Sequence, residues 1–231
     1  SPRWDEEELA LNVSAKMATL DQQKSSANTL SSLAYNSLLY GESHVMAKNA
    51  LGTEASLKAV NMQDLQELYT KAFVPQLSLF NVVGDVNMDD VQNASVELIH
   101  NWKKSDRKTV KLLPASKPEK PQVYFVDFPE AKQSVIRVGT SSMPISDKNY
   151  YNGVIANYIL GGGGFASILM QEMREAKGYT YGVNSSFNGR KNIGSFDIST
   201  NVRSNVTLES MEIIKNVLEA YPTVFEEEDL E

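Results

Sequence analysis

The sequence predicts an α+β fold, in which helices pack on a mixed or antiparallel sheet. Segments with helical spacing of apolar residues and segments with strand-like alternation occur in mixed runs along the 231 residues. Asn188-Gly189 lies between two alternating segments, which is typical of a hairpin between antiparallel strands. The composition is 42% apolar and 22% charged, which excludes a disordered or collagen-like chain.

The first part of the chain is predicted to be mainly helical. Apolar residues recur at helical spacing over 9–20 and again over 27–38, and Gly41 marks the end of the second stretch. Thr53 and Asn61 are predicted to cap two shorter helices, because their side-chain oxygens can accept from backbone N–H groups of the first turn.

A strand over 77–83 and a further helix are predicted before the pattern breaks. The inner face of that helix is predicted to be Met88, Val91, Ser95, Leu98, Ile99 and Trp102. Residues 103–121 then hold seven basic and two acidic residues, a net charge of +5, and three prolines. This composition favours a linker over a phosphate-binding patch, because aromatic residues are absent. We therefore expect one domain over 1–102, a linker over 103–121, and a second domain over 122–231 that is truncated at its C-terminus.

Limited proteolysis checks this domain organisation. We expect a protease specific for lysine and arginine to cleave first within 103–121, because basic residues are concentrated in a segment without regular periodicity. Mass spectrometry of the early fragments gives the cleavage sites. Early cleavage within 134–140, a predicted strand, would contradict the organisation.

Strands and helices alternate in the second part of the chain. Strands are predicted over 123–128, 134–140 and 179–187, with a returning strand that carries Phe196, Ile198, Thr200 and Val202. A helix is predicted from Asp147, with Tyr151, Val154, Ile155, Tyr158 and Ile159 on its inner face. After four glycines, a second helix is predicted with Phe165, Ile168, Leu169, Glu172, Met173 and Ala176 on one face and an end at Lys177-Gly178. The last helix is predicted to bury Met211, Ile214, Leu218 and Tyr221.

Charge and residue counts exclude several classes of protein. The net charge of −7 argues against a nucleic-acid-binding protein. No apolar run approaches the roughly 20 residues of a membrane-spanning helix, and no signal segment is present. The absence of cysteine excludes disulfides and thiolate ligands, and the only histidines, His44 and His100, lie 56 positions apart. The ends favour an excised piece of a longer protein, with a processed mature chain as the alternative.

Arg174 and Tyr181 have unremarkable roles when they are judged from their spacing alone. On a continuous helix with 100° per residue, Arg174 lies opposite Phe165, as a solvated arginine in the last turn. Tyr181 alternates with its neighbours and is predicted to pack on a sheet. The run Gly161–Gly164 does not match a phosphate loop, because no Lys-Ser/Thr follows it.

The same stretch nevertheless resembles a known family. The helix ends in Arg174-Glu-Ala-Lys-Gly178, and Tyr181 follows seven residues after the arginine. With the preceding glycine loop, this pattern resembles the C-terminal-half signature of the pitrilysin/insulinase family of zinc metallopeptidases. Residues 36–44, 60–73 and 82–86 are similar to further segments of these proteins, so the resemblance covers nearly the whole chain. It implies that 1–102 closes one pitrilysin-like domain and that 122–231 forms most of the next.

The resemblance implies roles for particular residues. In this family the C-terminal half closes over a peptide, and its arginine and tyrosine stabilise the tetrahedral oxyanion. Arg174 and Tyr181 match those two positions. The residues implied to contact substrate or the other half are Gly161, Gly162, Gly163, Gly164 and Phe165.

The family's zinc-binding motif is absent from this chain. No His-x-x-Glu-His occurs, so the resemblance implies no metal or cofactor here and a zinc ion in the parent protein or partner. The implied partners are a peptide or unfolded polypeptide substrate and a zinc-bearing catalytic domain, in the same chain or in a partner subunit. The chain alone is expected to be inactive. The alternative is a zinc-free scaffolding subunit of the same family, with a structural or protein-interaction role.

Overall fold

The computed structural model describes residues 2–104, 115 and 120–224, and these residues divide into two compact units. The first unit takes its residues from Ser1–Gln22 and Asn49–Leu112, and the second from Gln23–Lys48 and Leu113–Glu231. Residues 23–48 therefore group with the later half of the chain, which the sequence did not indicate. Most of 103–121 lies outside the described residues, so the linker there stays a prediction.

Five α-helices precede the first strand in the described residues, and their ends follow the capping residues. They are α1 (Glu6–Lys24), α2 (Ala27–Tyr40), α3 (Glu54–Ala59), α4 (Met62–Ala72) and α5 (Met88–Asn101). Thr53 and Asn61 each form a capping box with the third helical residue, as predicted for these two positions. Gly41 ends α2 at φ 81°, and its N–H donates to the carbonyl of Ser37.

Besides α2, the described part of the second unit contains a three-stranded antiparallel sheet and three further α-helices. Its elements are β1 (Gln133–Ser142), α6 (Tyr150–Asn157), α7 (Ile168–Met170), β2 (Thr180–Asn188), β3 (Gly194–Arg203) and α8 (Thr207–Val224). The strand order is β1-β3-β2, with Ile136 opposite Thr200 and Phe187 opposite Phe196. The predicted α+β class with an antiparallel sheet is confirmed. The hairpin loop comprises residues 189–193 and is longer than a two-residue turn.

Two predicted strands are wrong. Residues 77–83 contain the end of a 3-10 turn, Pro75–Leu77, followed by chain without ladder pairing, and 123–128 likewise pair with no strand. Val83 is 97% exposed and Phe125 is 90% exposed. Both segments are rich in aliphatic and aromatic residues, but a strand also needs a neighbouring strand to accept its hydrogen bonds. None of the described strands pairs with either segment.

The core of the second unit lies between one face of the sheet and α7, α8 and the turns that adjoin them. Its fully buried side chains include Leu169, Met173, Ile198, Val202 and Ile214. The inward face of α8 agrees with prediction, since Met211, Leu218 and Tyr221 pack around Ile214. Among the residues described, no helix is long and apolar enough to cross a membrane.

Helix α2 packs against β1 in the second unit. The Tyr35 hydroxyl donates to the carbonyl of Phe196 at 3.2 Å, and Arg137 Nε donates to Ser31 Oγ at 3.2 Å. Burial, followed by the charge of Asp197, raises the pKa of Tyr35 well above its ordinary value. Gly139 lies against this hydroxyl and leaves no room for a side chain.

Much of the predicted inner face of two helices is exposed. Tyr151 and Ile155 of α6 are 70% and 50% exposed, and Tyr158 in the turn that follows is 63% exposed. On α5, Met88 and Ile99 are each 69% exposed, whereas Ser95 is buried. A helical apolar stripe shows which face of a helix is apolar, but it does not show that residues of the same chain cover that face. The helix predicted from Asp147 also begins later, at Tyr150.

Candidate functional site

The glycine-rich segment joins α6 to α7 through irregular turns rather than one continuous helix. Helix α6 continues as a π-helical turn over Tyr158–Gly162, and a 3-10 turn follows over Gly164–Ala166. The N–H of Gly163 donates to the carbonyl of Tyr158 at 2.7 Å. π-Helical turns are frequent at functional sites, where they redirect the chain.

Two of the glycines are required by local geometry. Gly161 is buried, and a Cβ there would lie 2.5 Å from Ser185 Oγ and 2.9 Å from Leu169 Cδ1. Gly164 has φ 66°, in the left-handed region that favours glycine, and nothing lies within 4 Å of an added Cβ. Gly161 is thus a packing residue, whereas Gly164 is exposed and shapes the turn.

The position of Phe165 differs from the prediction. Phe165 lies in the 3-10 turn before α7, and its side chain is 61% exposed instead of forming the inner face of a helix. Ser167 is extended, so the helix begins only at Ile168. Gln171 Nε2 donates to the Phe165 carbonyl at 2.7 Å, which fixes the turn against α7.

Arg174 lies in contact with Phe165, not opposite it. The helix continues from α7 as a second π-helical turn, Gln171–Ala176, so the angle of 100° per residue does not apply. The guanidinium carbon is 4.4 Å from the centroid of Phe165 and 4.9 Å from that of Tyr181. The structure therefore brings Arg174, Tyr181 and Phe165 into one stacked cluster, at the edge of the glycine loop.

The cluster leaves hydrogen-bond donors available. Arg174 has a side chain that is 27% exposed, and its Nε lies 3.6 Å from Glu175 Oε1, a weak and solvated ion pair. The terminal guanidinium nitrogens and the Tyr181 hydroxyl make no hydrogen bond to any residue that the structure describes. A guanidinium and a phenol side by side, with open donors, suit a group that carries negative charge.

The backbone of Arg174 is also fixed. Gly178, at φ 62°, ends the π-helical turn, and its N–H donates to the Arg174 carbonyl at 2.9 Å. The predicted helix end at Lys177-Gly178 is correct. Tyr181 follows at the start of β2 and is 87% exposed.

A polar cleft of about 340 Å³ opens beside Tyr181 on the sheet. Gln133, Ser199 and Asn201 contribute to its lining. These side chains are uncharged donors and acceptors, the kind that can bind peptide groups. Sequence reasoning did not identify them, because polar residues on an exposed sheet face carry no distinctive spacing.

The residues present do not fit a zinc ion. Among the described residues, no group of three histidine, aspartate or glutamate side chains could hold a metal. His44 is 5% exposed, and its Nδ1 accepts from the N–H of Met46, so it caps a 3-10 turn. His100 lies exposed in the last turn of α5.

Comparison with known proteins first identifies the class of fold. The chain is similar to a peptidase M16 inactive domain from Pseudomonas fluorescens, with TM-score 0.91 and 26% identity over 100% of this chain and 55% of that one. A protease structure from Helicobacter pylori gives TM-score 0.83 at 15% identity, over 98% of this chain and 55% of that one. An uncharacterised zinc protease of Bacillus subtilis, YmxG, is 24% identical over 78% of this chain and 42% of its own length. The fold is therefore that of protease-type α+β domains.

The family follows from a more specific match. Residues 59–231 match the family model described as the peptidase M16 inactive domain. The chain belongs to this pitrilysin-like peptidase family, and the resemblance seen in its sequence is confirmed. The chain spans about half the length of the relatives it matches.

Proposed function

We propose that this chain is the portion of a zinc endopeptidase that binds no zinc, closes over the peptide substrate and stabilises its oxyanion. The main observation that supports this proposal is the stacked cluster, in which the Arg174 guanidinium lies 4.9 Å from the centroid of the Tyr181 ring. The terminal guanidinium nitrogens have no hydrogen-bond partner among the described residues. Attack on a peptide carbonyl places negative charge on its oxygen. Two preorganised donors aimed at that oxygen lower the barrier more than they strengthen ground-state binding.

The remaining residues of the site would orient the substrate. Phe165 covers one face of the guanidinium at 4.4 Å and restricts its rotation, at a stabilisation of about 0.5–1 kcal/mol for such a contact. The exposed glycines, Gly162 and Gly164, leave room for a peptide backbone next to Phe165. The uncharged cleft beside Tyr181 would take a neighbouring part of the same peptide. The zinc and its ligands would belong to the other half of the protein.

The proposal predicts that the 231-residue chain alone binds zinc weakly and cleaves no peptide. No described cluster of side chains supplies the converging ligands that tight zinc binding needs. Metal analysis after dialysis measures the zinc content, and a quenched fluorescent peptide measures turnover. Stoichiometric zinc, or turnover that a chelator removes, would contradict the proposal.

The assembled protein provides the positive test. Peptide cleavage by the zinc-bearing half is expected to require this chain, whether the two are joined or supplied as separate subunits. Cleavage at the same rate by the zinc-bearing half without this chain would overturn the proposed function.

A zinc-free scaffolding subunit is the second candidate. The exposed apolar face of α6, formed by Tyr151, Val154, Ile155 and Tyr158, favours it, because large apolar patches mark protein interfaces. The two candidates differ in their dependence on Arg174. A scaffold would assemble with its partners and function normally without that guanidinium, whereas the oxyanion role needs it.

A further inference from the structure

A shift of register interrupts the pairing of β2 with β3 at Tyr181. Thr180 is opposite Val202, and Val183 is opposite Thr200. β2 therefore advances three residues while β3 advances two, which leaves Tyr181 and Gly182 together opposite Asn201. This is a β-bulge, a feature that bends a strand and redirects its side chains.

The bulge decides which face of the sheet Tyr181 occupies. Thr180 and Val183 are both buried, with 9% and 4% of their surfaces exposed. In a regular strand, residues two apart share a face, so Tyr181 would point to the same buried side as Val183. With one extra residue, Tyr181 is instead 87% exposed and stacks on Arg174.

Two threonine hydroxyls satisfy the backbone groups that the bulge removes from the ladder. The N–H of Gly182 donates to Thr180 Oγ1 at 3.0 Å, and Thr200 Oγ1 lies 3.0 Å from the Gly182 carbonyl. The Thr180 hydroxyl donates to the Asn201 carbonyl at 2.8 Å. Thr200 Oγ1 also lies 3.0 Å from Thr180 Oγ1, in a buried position. Both polar groups of the Gly182 backbone are thus paired by side chains.

We propose that Thr180 and Thr200 are positioning residues for Tyr181. The hydroxyls of the two threonines hold the bulge and so keep the phenol ring of Tyr181 over Arg174. The catalytic consequence rests on the proposed function. The positioning itself can be measured without turnover.

Hydrogen exchange tests the positioning. Thr200→Val keeps the buried shape and removes the hydroxyl, Thr200→Ser keeps the hydroxyl, and Thr140→Val makes the same change at an exposed position of the sheet. We expect the Gly182 amide to exchange about threefold to tenfold faster in T200V than in the unaltered chain. The substitution removes the hydrogen bond from Thr200 Oγ1 to the Gly182 carbonyl and the contact with Thr180 Oγ1, the atom that accepts from the Gly182 N–H. T200S and T140V are expected to leave this rate unchanged. Equal exchange in T200V and the unaltered chain would overturn the proposal.

Kinetics of the assembled protein test whether Thr200 acts through Tyr181. T200V is expected to lower kcat about threefold to tenfold with KM unchanged, and T200S to restore it. In a Tyr181→Phe background, T200V is expected to cause less than about a twofold further loss, because the phenol that it positions is already gone. An equal loss in both backgrounds would show a purely structural role and overturn the proposal.

Failure of the proposed function would look different. If Y181F itself keeps full kcat, the oxyanion role of Tyr181 is wrong, and the positioning proposal is then decided by hydrogen exchange alone. If Y181F loses activity while T200V changes neither exchange nor kcat, the oxyanion role stands and the positioning proposal is wrong.

Discussion

Under the proposed function, Arg174→Ala is expected to lower kcat of the assembled protein by about 10²–10³-fold, with KM little altered. The physical reason is that the open terminal nitrogens of the guanidinium gain a charged partner only when the oxyanion forms. The side chain is 27% exposed and lies between two exposed rings, outside the buried core cluster, so its removal leaves no core cavity. We expect the free energy of unfolding to fall by less than about 1 kcal/mol. Steady-state kinetics and chemical denaturation measure the two effects.

Tyr181→Phe removes only the second donor and gives a matched comparison. We expect a similar loss of kcat, and a double variant that loses less than the product of the two single losses, because both donors serve one oxygen. Arg190→Ala, at an exposed arginine of the hairpin loop, is the control and should leave kcat unchanged. If R174A unfolds the second unit while activity per folded molecule is preserved, Arg174 is a structural residue.

The second prediction with a large expected effect concerns the free energy of unfolding. Leu169→Ala should lower the free energy of unfolding by about 2–5 kcal/mol, because it deletes a fully buried side chain in a packed core. Leu169 lies against the loop glycine Gly161, so local collapse cannot easily fill the cavity. Urea denaturation followed by circular dichroism gives the change.

Leu208→Ala is the matched control for this prediction. It makes the same chemical change in α8 at a side chain that is 66% exposed, and we expect a change within about 0.5 kcal/mol. Comparable losses for both variants would show that burial in the second unit does not determine its stability.

The parts of the fold that local chemistry determines were predictable. Thr53 and Asn61 cap their helices because a side-chain oxygen near the first turn accepts its free N–H groups, whatever the rest of the chain does. Gly41 and Gly178 end helices for an equally local reason, a positive φ that glycine tolerates. The alternation of β1 and β3 was also sufficient, since each strand has a partner in the chain.

The parts that depend on distant partners were not predictable from the sequence. Residues 77–83 are rich in the apolar residues typical of a strand, but pairing requires a neighbouring strand that the local sequence does not specify. The apolar stripe of α6 likewise did not predict burial. Tyr158, directly after this helix, is 63% exposed at a position that was predicted to face inward. Periodicity reports the character of a surface, and not what covers it.

At the candidate site, the sequence indicated the residues but not their arrangement. Arg174, Tyr181 and Phe165 came from the resemblance to a family, whereas helical geometry placed Arg174 and Phe165 on opposite sides. The 3-10 turn at Gly164–Ala166 and the π-helical turn at Gln171–Ala176 change the rotation per residue and bring the two side chains together. Gln171 and Thr200, which hold the turn and the bulge, carried no spacing signal.

The partly buried hydroxyl of Tyr35 makes the stability of the second unit sensitive to high pH. Burial raises the pKa of this phenol above its ordinary value, so the folded chain holds the proton more tightly than the unfolded chain does. Its contribution to stability is complete below the ordinary tyrosine pKa near 10 and is lost as the pH rises through the folded value. The phenolate form would leave the Phe196 carbonyl without its donor and would face the carboxylate of Asp197. We therefore expect strong base to weaken the attachment of α2 to the sheet.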